Sequence, residues 1–168
     1  MASTVTPATL TVTLTEAITL NGAAFNTSNV LTIASVGTVT RKIFTAGTTA
    51  YDPVIEFASR ASGSAFVKAD TKYVRITNLD NANYVSIRVK NTAGTPKYGA
   101  VRLQPGQSFI LGPDYEFSTD SGTTMSGFDG ISEIQAIANS ADVDLELYGA
   151  TDSSAGTNLE TALPNKSS

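Results

Sequence analysis

The sequence predicts an all-β protein, a single β-sandwich, jelly-roll-like, with about ten short strands. Threonine occurs 24 times in the 168 residues. Thr, Val and Ile are β-branched and fit the pleated surface of a strand better than a helix. Apolar and polar residues also alternate with a period of two in many short segments, and Gly, Pro, Asn and Asp separate those segments. At this length one domain is expected.

The first half of the chain contains four predicted strands. The first occupies 9–15, where Leu10, Val12 and Leu14 alternate with threonines, and it continues to Leu20 before the turn signal Asn21-Gly22. The others are predicted at Val30–Ser35, at Val39–Thr45 and, as a short or edge strand after Pro53, at Val54–Phe57.

Two hairpins are predicted in the middle of the chain. The first covers 73–91, where two alternating segments flank a link rich in Asn and Asp at 78–83, residues that suit turns. The second joins 101–103 to 108–111 through Pro105-Gly106, which fits a type II turn because Pro presets φ and Gly accepts a positive φ.

The last third of the chain begins with a polar loop at about 118–130. The segment 131–139 fits either an amphipathic helix or a strand, and a strand is favoured because its neighbours are β. Strict alternation predicts the last strand at 143–148. The expected organisation is a β-sandwich domain with an N-terminal arm over residues 1–150 and a polar C-terminal tail over 151–168.

The absence of Cys and His narrows the possible chemistry. Without Cys there is no thiolate nucleophile and no disulfide, and without His the commonest general base and metal ligand are missing. Ser-His-Asp and Cys-His catalysis are therefore excluded. We expect a protein that is not an enzyme and needs no cofactor.

The charges are unevenly distributed along a chain of net charge −4. Residues 1–67 have a net charge of 0, residues 68–102 have seven cations and two acids, and residues 103–168 have ten acids and one lysine. Such asymmetry indicates an electrostatic partner, and another copy of the chain would satisfy it.

Three acids alternate along the last predicted strand, namely Asp142, Asp144 and Glu146. Clustered carboxylates are calcium ligands, but alternate side chains of a strand lie roughly 6–7 Å apart, which favours an ordinary solvated face. A second acidic group, Asp114, Glu116 and Asp120, would have to supply paired carboxylates for glycoside hydrolysis, and a polar loop explains it better.

One face of the first predicted hairpin is basic and aromatic, with Arg75, Tyr84, Arg88 and Lys90. Three interpretations remain open: single-stranded nucleic acid binding, a contact between subunits, and a solvated face. The acidic C-terminal part of the chain disfavours nucleic acid. We hypothesise that these cations of one copy meet Asp142, Asp144 and Glu146 of another copy, or meet them within one sheet.

Four stretches of the sequence are similar to small β-rich structural proteins of tailed phages, particularly marine and cyanobacterial ones. They are 11–22, 72–80, 103–112 and 141–148. This resemblance implies a virion structural protein made in the host cytoplasm, most specifically a head decoration protein, with neck, tail or fibre roles as alternatives. It assigns no role to individual residues.

The expected partners are therefore other copies of the chain and the major capsid, neck or tail proteins, and neither nucleic acid nor a membrane. The chain lacks an 18-residue apolar run and a signal-peptide pattern at its start. The alternative is a receptor- or glycan-binding β-sandwich module that uses exposed tyrosines and loop acids.

Overall fold

Two antiparallel β-sheets make up the computed structural model, which describes residues 6–57, 66–91, 96–112 and 131–152. The strands in these residues are β1 (Ala8–Leu20), β2 (Ala23–Ala46), β3 (Asp52–Glu56), β4 (Thr71–Asn78), β5 (Val85–Asn91), β6 (Lys97–Leu103), β7 (Ser108–Leu111), β8 (Glu133–Ala138) and β9 (Val143–Asp152). Sheet 1 has the order β1-β2-β9-β4-β7 and sheet 2 the order β3-β8-β5-β6. The predicted all-β fold is confirmed.

The strand order is that of a jelly roll. β2 pairs with β9, β3 with β8, β4 with β7 and β5 with β6, so the strands pair as nested hairpins. Except at the β5–β6 hairpin, successive strands from β2 onwards alternate between the two sheets. β1 is an additional strand, and it pairs with β2 at one edge of sheet 1.

The main core lies between the two sheets. Val74 and Ile76 of β4 and Leu147 of β9 face inward from sheet 1, and Ile87 and Ile134 face inward from sheet 2. All five side chains are fully buried, and each alternates along its strand with residues of the outer face. The period of two in the sequence therefore corresponds to inward and outward directions.

The two predicted hairpins are wrong as pairings, although their strands are present. β4 belongs to sheet 1 and β5 to sheet 2, so the link after Asn78 crosses from one sheet to the other. β6 and β7 are likewise in different sheets. Alternation identifies a strand but does not identify its partner, which here is set by burial of both inward faces in one core.

Asn78 connects these two crossings. Its backbone N–H donates to the carbonyl oxygen of Gln107 at 2.9 Å, and its own carbonyl accepts from the N–H of Gly106 at 3.0 Å. The predicted Pro105-Gly106 turn is present, with φ of +76° at Gly106 and a 3.0 Å bond from the Gln107 N–H to the Gln104 carbonyl.

One long strand replaces the two predicted at 30–35 and 39–45, because β2 runs without a break through Gly37. Ser35 has a left-handed φ of +62°, and the pairing register shifts beside it, both with β1 and with β9. Irregularities of this kind bend a strand and increase its twist. This one lies where β2 leaves the sandwich.

The remaining strand predictions are confirmed. The segment after Pro53 is an edge strand of sheet 2, the segment 131–139 contains β8, and the last alternating segment is β9. β9 continues to Asp152, and the rest of the predicted tail, 153–168, lies outside the described residues.

Candidate interaction surface

A two-stranded ribbon projects from one edge of sheet 1. It is formed by residues 13–32 of β1 and β2, which we call the arm, and it closes at the tight turn Asn21-Gly22. Both turn residues have positive φ, +50° and +82°, as a type I′ hairpin turn requires. Every residue of the arm is exposed, although a strand pair inside a sandwich would bury one face.

The two faces of the arm differ in polarity. Residues opposite each other in an antiparallel pair share a face, so Leu14, Ile18 and Leu20 lie on the same side as Phe25 and Leu31. We call this the apolar face; Leu14 and Ile18 are 58% exposed and Phe25 is 60% exposed. The opposite face is mainly polar and contains Thr13, Thr15, Thr19, Asn26 and Ser28 beside Val30.

At its base the apolar face joins the outer face of sheet 1. Ile33 of β2 packs with Tyr73 of β4 and Ala150 of β9 in a second buried cluster, to which Leu10 and Val12 of β1 are added. Tyr73 alternates with core residues of β4, so this cluster lies on the side of sheet 1 away from the main core. The arm and the outer face of sheet 1 therefore form one continuous surface.

A charged group occupies the middle of that outer face. The carboxylate of Glu146 accepts from Nε of Arg41 at 2.6 Å and from Nη2 of Arg75 at 2.5 Å. The Arg41 side chain remains 70% exposed, and it stands between Val39 and Ile43, which are 50% and 55% exposed. Two guanidinium groups share one carboxylate, so Arg41, Arg75 and Glu146 together have a net charge of +1.

Replacing Glu146 with glutamine is expected to lower the free energy of unfolding at pH 7 by about 1–3 kcal/mol, because two guanidinium groups lose a charged acceptor. The hydrogen bond from Arg41, with the charges of Arg41 and Arg75, holds the pKa of Glu146 below its ordinary value in the folded protein. The contribution is therefore complete above the ordinary glutamate pKa and is lost as the pH falls through the lower folded value.

Urea unfolding of the wild type and of Glu146→Gln over a series from pH 7 down to about pH 2 measures this difference. The difference in free energy of unfolding between the two proteins should become smaller as the pH falls below about 4.5. A difference that stays constant across the series would contradict the assigned ion pairs.

The outer face of sheet 2 holds a separate network around Arg88. Its guanidinium carbon lies 3.8 Å from the ring centroid of Tyr51 and 4.4 Å from that of Tyr98, and Nε and Nη2 donate to Oε1 of Gln135 at 2.9 and 2.6 Å. Gln135 in turn donates to Glu133, which also accepts from Lys90 at 2.7 Å. Arg88 therefore covers one face of each ring, a face on which a bound sugar could otherwise stack.

Within one chain, the basic and acidic residues of the hypothesised interface lie on both sheets. Arg75 and Glu146 are in contact within sheet 1, as one form of the hypothesis expected. The other two cations, Arg88 and Lys90, lie on sheet 2. The tyrosine of the predicted interface, Tyr84, stacks on Arg102, with 4.2 Å between the guanidinium carbon and the ring centroid.

The two remaining acids of that prediction lie at the start of the last strand. Asp144 accepts a 2.7 Å hydrogen bond from the hydroxyl of Thr45, and Asp142 directly precedes β9. Within the part of the chain that the structure describes, no three acidic residues come close enough to hold a metal ion.

A shallow groove lies where β2 meets β3, and Lys42, Glu56 and Phe66 are among the residues that line it. Among the described residues that line it, Glu56 is the single carboxylate, so it lacks the pair that glycoside hydrolysis requires. The acids considered for that role, Asp114, Glu116 and Asp120, lie outside the described residues.

Sequence reasoning missed the exposure of the arm and the part played by Arg41. A signal was present, since Glu16 is the one charged residue between positions 8 and 40. A strand pair with alternating leucines and threonines and a single charge is typical of a surface that is covered in an assembly.

Comparison with protein-family models, with curated proteins and with solved structures found no match. In the described ranges the structure contains no helix of sufficient length and apolar character to cross a membrane.

Proposed function

We propose that the protein is a structural component of a tailed-phage virion and acts through protein–protein contacts, with attachment to the head as its most specific role. The observation that carries the proposal is the arm, an ordered two-stranded ribbon whose apolar face is exposed. Its shape and polarity suit a surface that another protein covers.

The physical argument concerns stability. An isolated two-stranded hairpin is marginally stable in water. Among the described residues, the arm joins the sandwich at its base, where Leu10 and Val12 pack against the cluster around Ile33. Fully covering a Leu, Ile or Phe side chain contributes about 1.5–3 kcal/mol, and Leu14, Ile18 and Phe25 are each more than half exposed. A partner that covers the apolar face would therefore gain several kcal/mol and fix the arm in place.

The fold is compatible with this role. Jelly rolls form many viral capsid domains, and they also occur in lectins, so the fold by itself supports a virion role only by analogy. The contacts of Arg88 with Tyr51 and Tyr98 favour a structural role over glycan binding, because Arg88 already covers one face of each tyrosine ring.

Co-sedimentation tests the proposal. Empty heads and, separately, tails are purified from a tailed phage that encodes this chain, mixed with the intact protein, and pelleted. A matched variant lacks residues 13–18 and 25–30, which shortens each strand by six residues and keeps the Asn21-Gly22 turn and the facing of every remaining residue. A Thr15→Arg variant, changed on the polar face, is the control.

We expect the intact protein and Thr15→Arg to pellet with heads, and the shortened variant to stay in solution. Pelleting with tails but not with heads would overturn attachment to the head and assign the protein to the tail, neck or fibre. An intact protein that binds neither particle would contradict the virion role, and a shortened variant that binds normally would show that the arm is not the attachment surface.

A further inference from the structure

The single charge of the arm lies in the middle of its apolar face. Glu16 is directly opposite Thr27, between Leu14 and Ile18 along β1, and it forms no ion pair with any described residue. Covering this face with a purely apolar partner would bury an unpaired carboxylate, which is strongly unfavourable. The occupant must therefore present a cation between two apolar side chains.

The chain itself contains such a surface. On the outer face of sheet 1, β2 presents Val39, Arg41 and Ile43, three exposed residues at alternate positions. Leu14, Glu16 and Ile18 repeat the same order, with the charge of opposite sign. Alternate residues of any strand are separated by about 6.6–6.8 Å, so the two rows have the same spacing.

We propose that the apolar face of the arm packs on the outer face of sheet 1 of a second copy of this chain, with Glu16 of one copy against Arg41 of the other. This inference rests on the proposed role and extends it by naming a second copy of the chain as the protein that the arm binds. Two sheets packed face to face lie about 10 Å apart, a separation that Glu and Arg side chains can bridge between them.

The contact is self-complementary. The arm and the outer face of sheet 1 lie on the same side of one continuous surface, joined by the cluster around Ile33 and Tyr73. Two copies facing each other can therefore each place an arm on the other, which gives a two-fold symmetric dimer with the contact made twice. The net positive charge of the Arg41, Arg75 and Glu146 group favours the acidic arm at this position.

The test uses charge exchange in the full-length protein, with mass measured by light scattering and sedimentation equilibrium. Glu16→Arg places two arginines together at both contacts, and Arg41→Glu places two glutamates together. Each variant alone should dimerise about tenfold or more weakly than the wild type. An equimolar mixture of the two variants should regain the wild-type mass, because each contact then pairs an arginine with a glutamate.

The outcomes separate this inference from the proposed role. Thr15→Arg, on the polar face, should dimerise as the wild type does, and circular dichroism checks that each variant is folded. A wild type that is monomeric at about 100 μM, or a mixture that stays monomeric while each variant is folded, would overturn the second copy as occupant. Binding to heads or tails by such a monomer would leave the virion role intact and identify a different protein as the occupant.

Discussion

Replacing Asn78 with alanine is expected to lower the free energy of unfolding by about 3–5 kcal/mol. The side chain is fully buried, and its Nδ2 donates to the carbonyl oxygens of Asn83 at 2.9 Å and Leu103 at 3.2 Å, while Oδ1 accepts from the N–H of Asp80 at 2.9 Å. Alanine would remove these three hydrogen bonds, of which the bond to Leu103 is buried and the other two are partly buried. Each buried group left unpaired costs about 1–3 kcal/mol.

The effect should be large because of where Asn78 lies. It ends β4 where the chain crosses to β5 in the other sheet, and its backbone is bonded to the turn where the chain crosses from β6 to β7. Urea unfolding monitored by circular dichroism measures the loss. Asn81→Ala is the matched control in the same link, where an exposed side chain should contribute less than about 0.5 kcal/mol. Losses of similar size in the two variants would contradict this account.

Replacing Gly149 with alanine is the second substitution with a large expected effect, about 2–3 kcal/mol. Gly149 faces inward from β9, between Thr40 and Val74 of the neighbouring strands. A Cβ atom at this position would overlap the ring of Phe66, which is itself buried in the main core. Either the ring or the strand must move, and a packed core resists both.

A double-mutant cycle tests this cause directly. Phe66→Leu removes the part of the ring that the new methyl group would meet, so Gly149→Ala should cost less in that background by about 1 kcal/mol or more. Gly47→Ala is the control, because its Cβ would meet its nearest neighbour, an oxygen of Asp52, at an ordinary 3.7 Å. If the losses in free energy of unfolding from Phe66→Leu and Gly149→Ala are additive, the two residues are not in contact.

The strands could be predicted from the sequence more reliably than their partners. Alternation is a local property, so it identified β1, β4, β5 and β9, while β8 was predicted from its β neighbours. Pairing depends on which inward faces share a core, and a chain link rich in Asn serves a crossing between sheets as well as it serves a hairpin. The buried hydrogen bonds of Asn78 distinguish the two cases, and they appear only in three dimensions.

The candidate surface was predicted in part. The pairing of Arg75 with Glu146 follows from two neighbouring strands, and the sequence placed both residues on outward faces. The exposure of the arm could not be predicted, because alternating leucines are equally typical of a strand that buries one face in a core. The arm is exposed because β1 pairs at the edge of sheet 1 and extends beyond the strands that would otherwise cover it.

The Asn21-Gly22 turn at the far end of the arm has a consequence for how the protein can change in length. Apart from Gly22 and its two chain neighbours, no described atom lies within 4 Å of where a Cβ would stand at Gly22, so the arm can change in length without disturbing the core. One residue inserted in each strand at the base of the arm would exchange the leucine and threonine sides of everything between the insertion and the turn, whereas two would preserve them. Insertions at the base can therefore lengthen the arm without exchanging its two faces only in steps of about 7 Å.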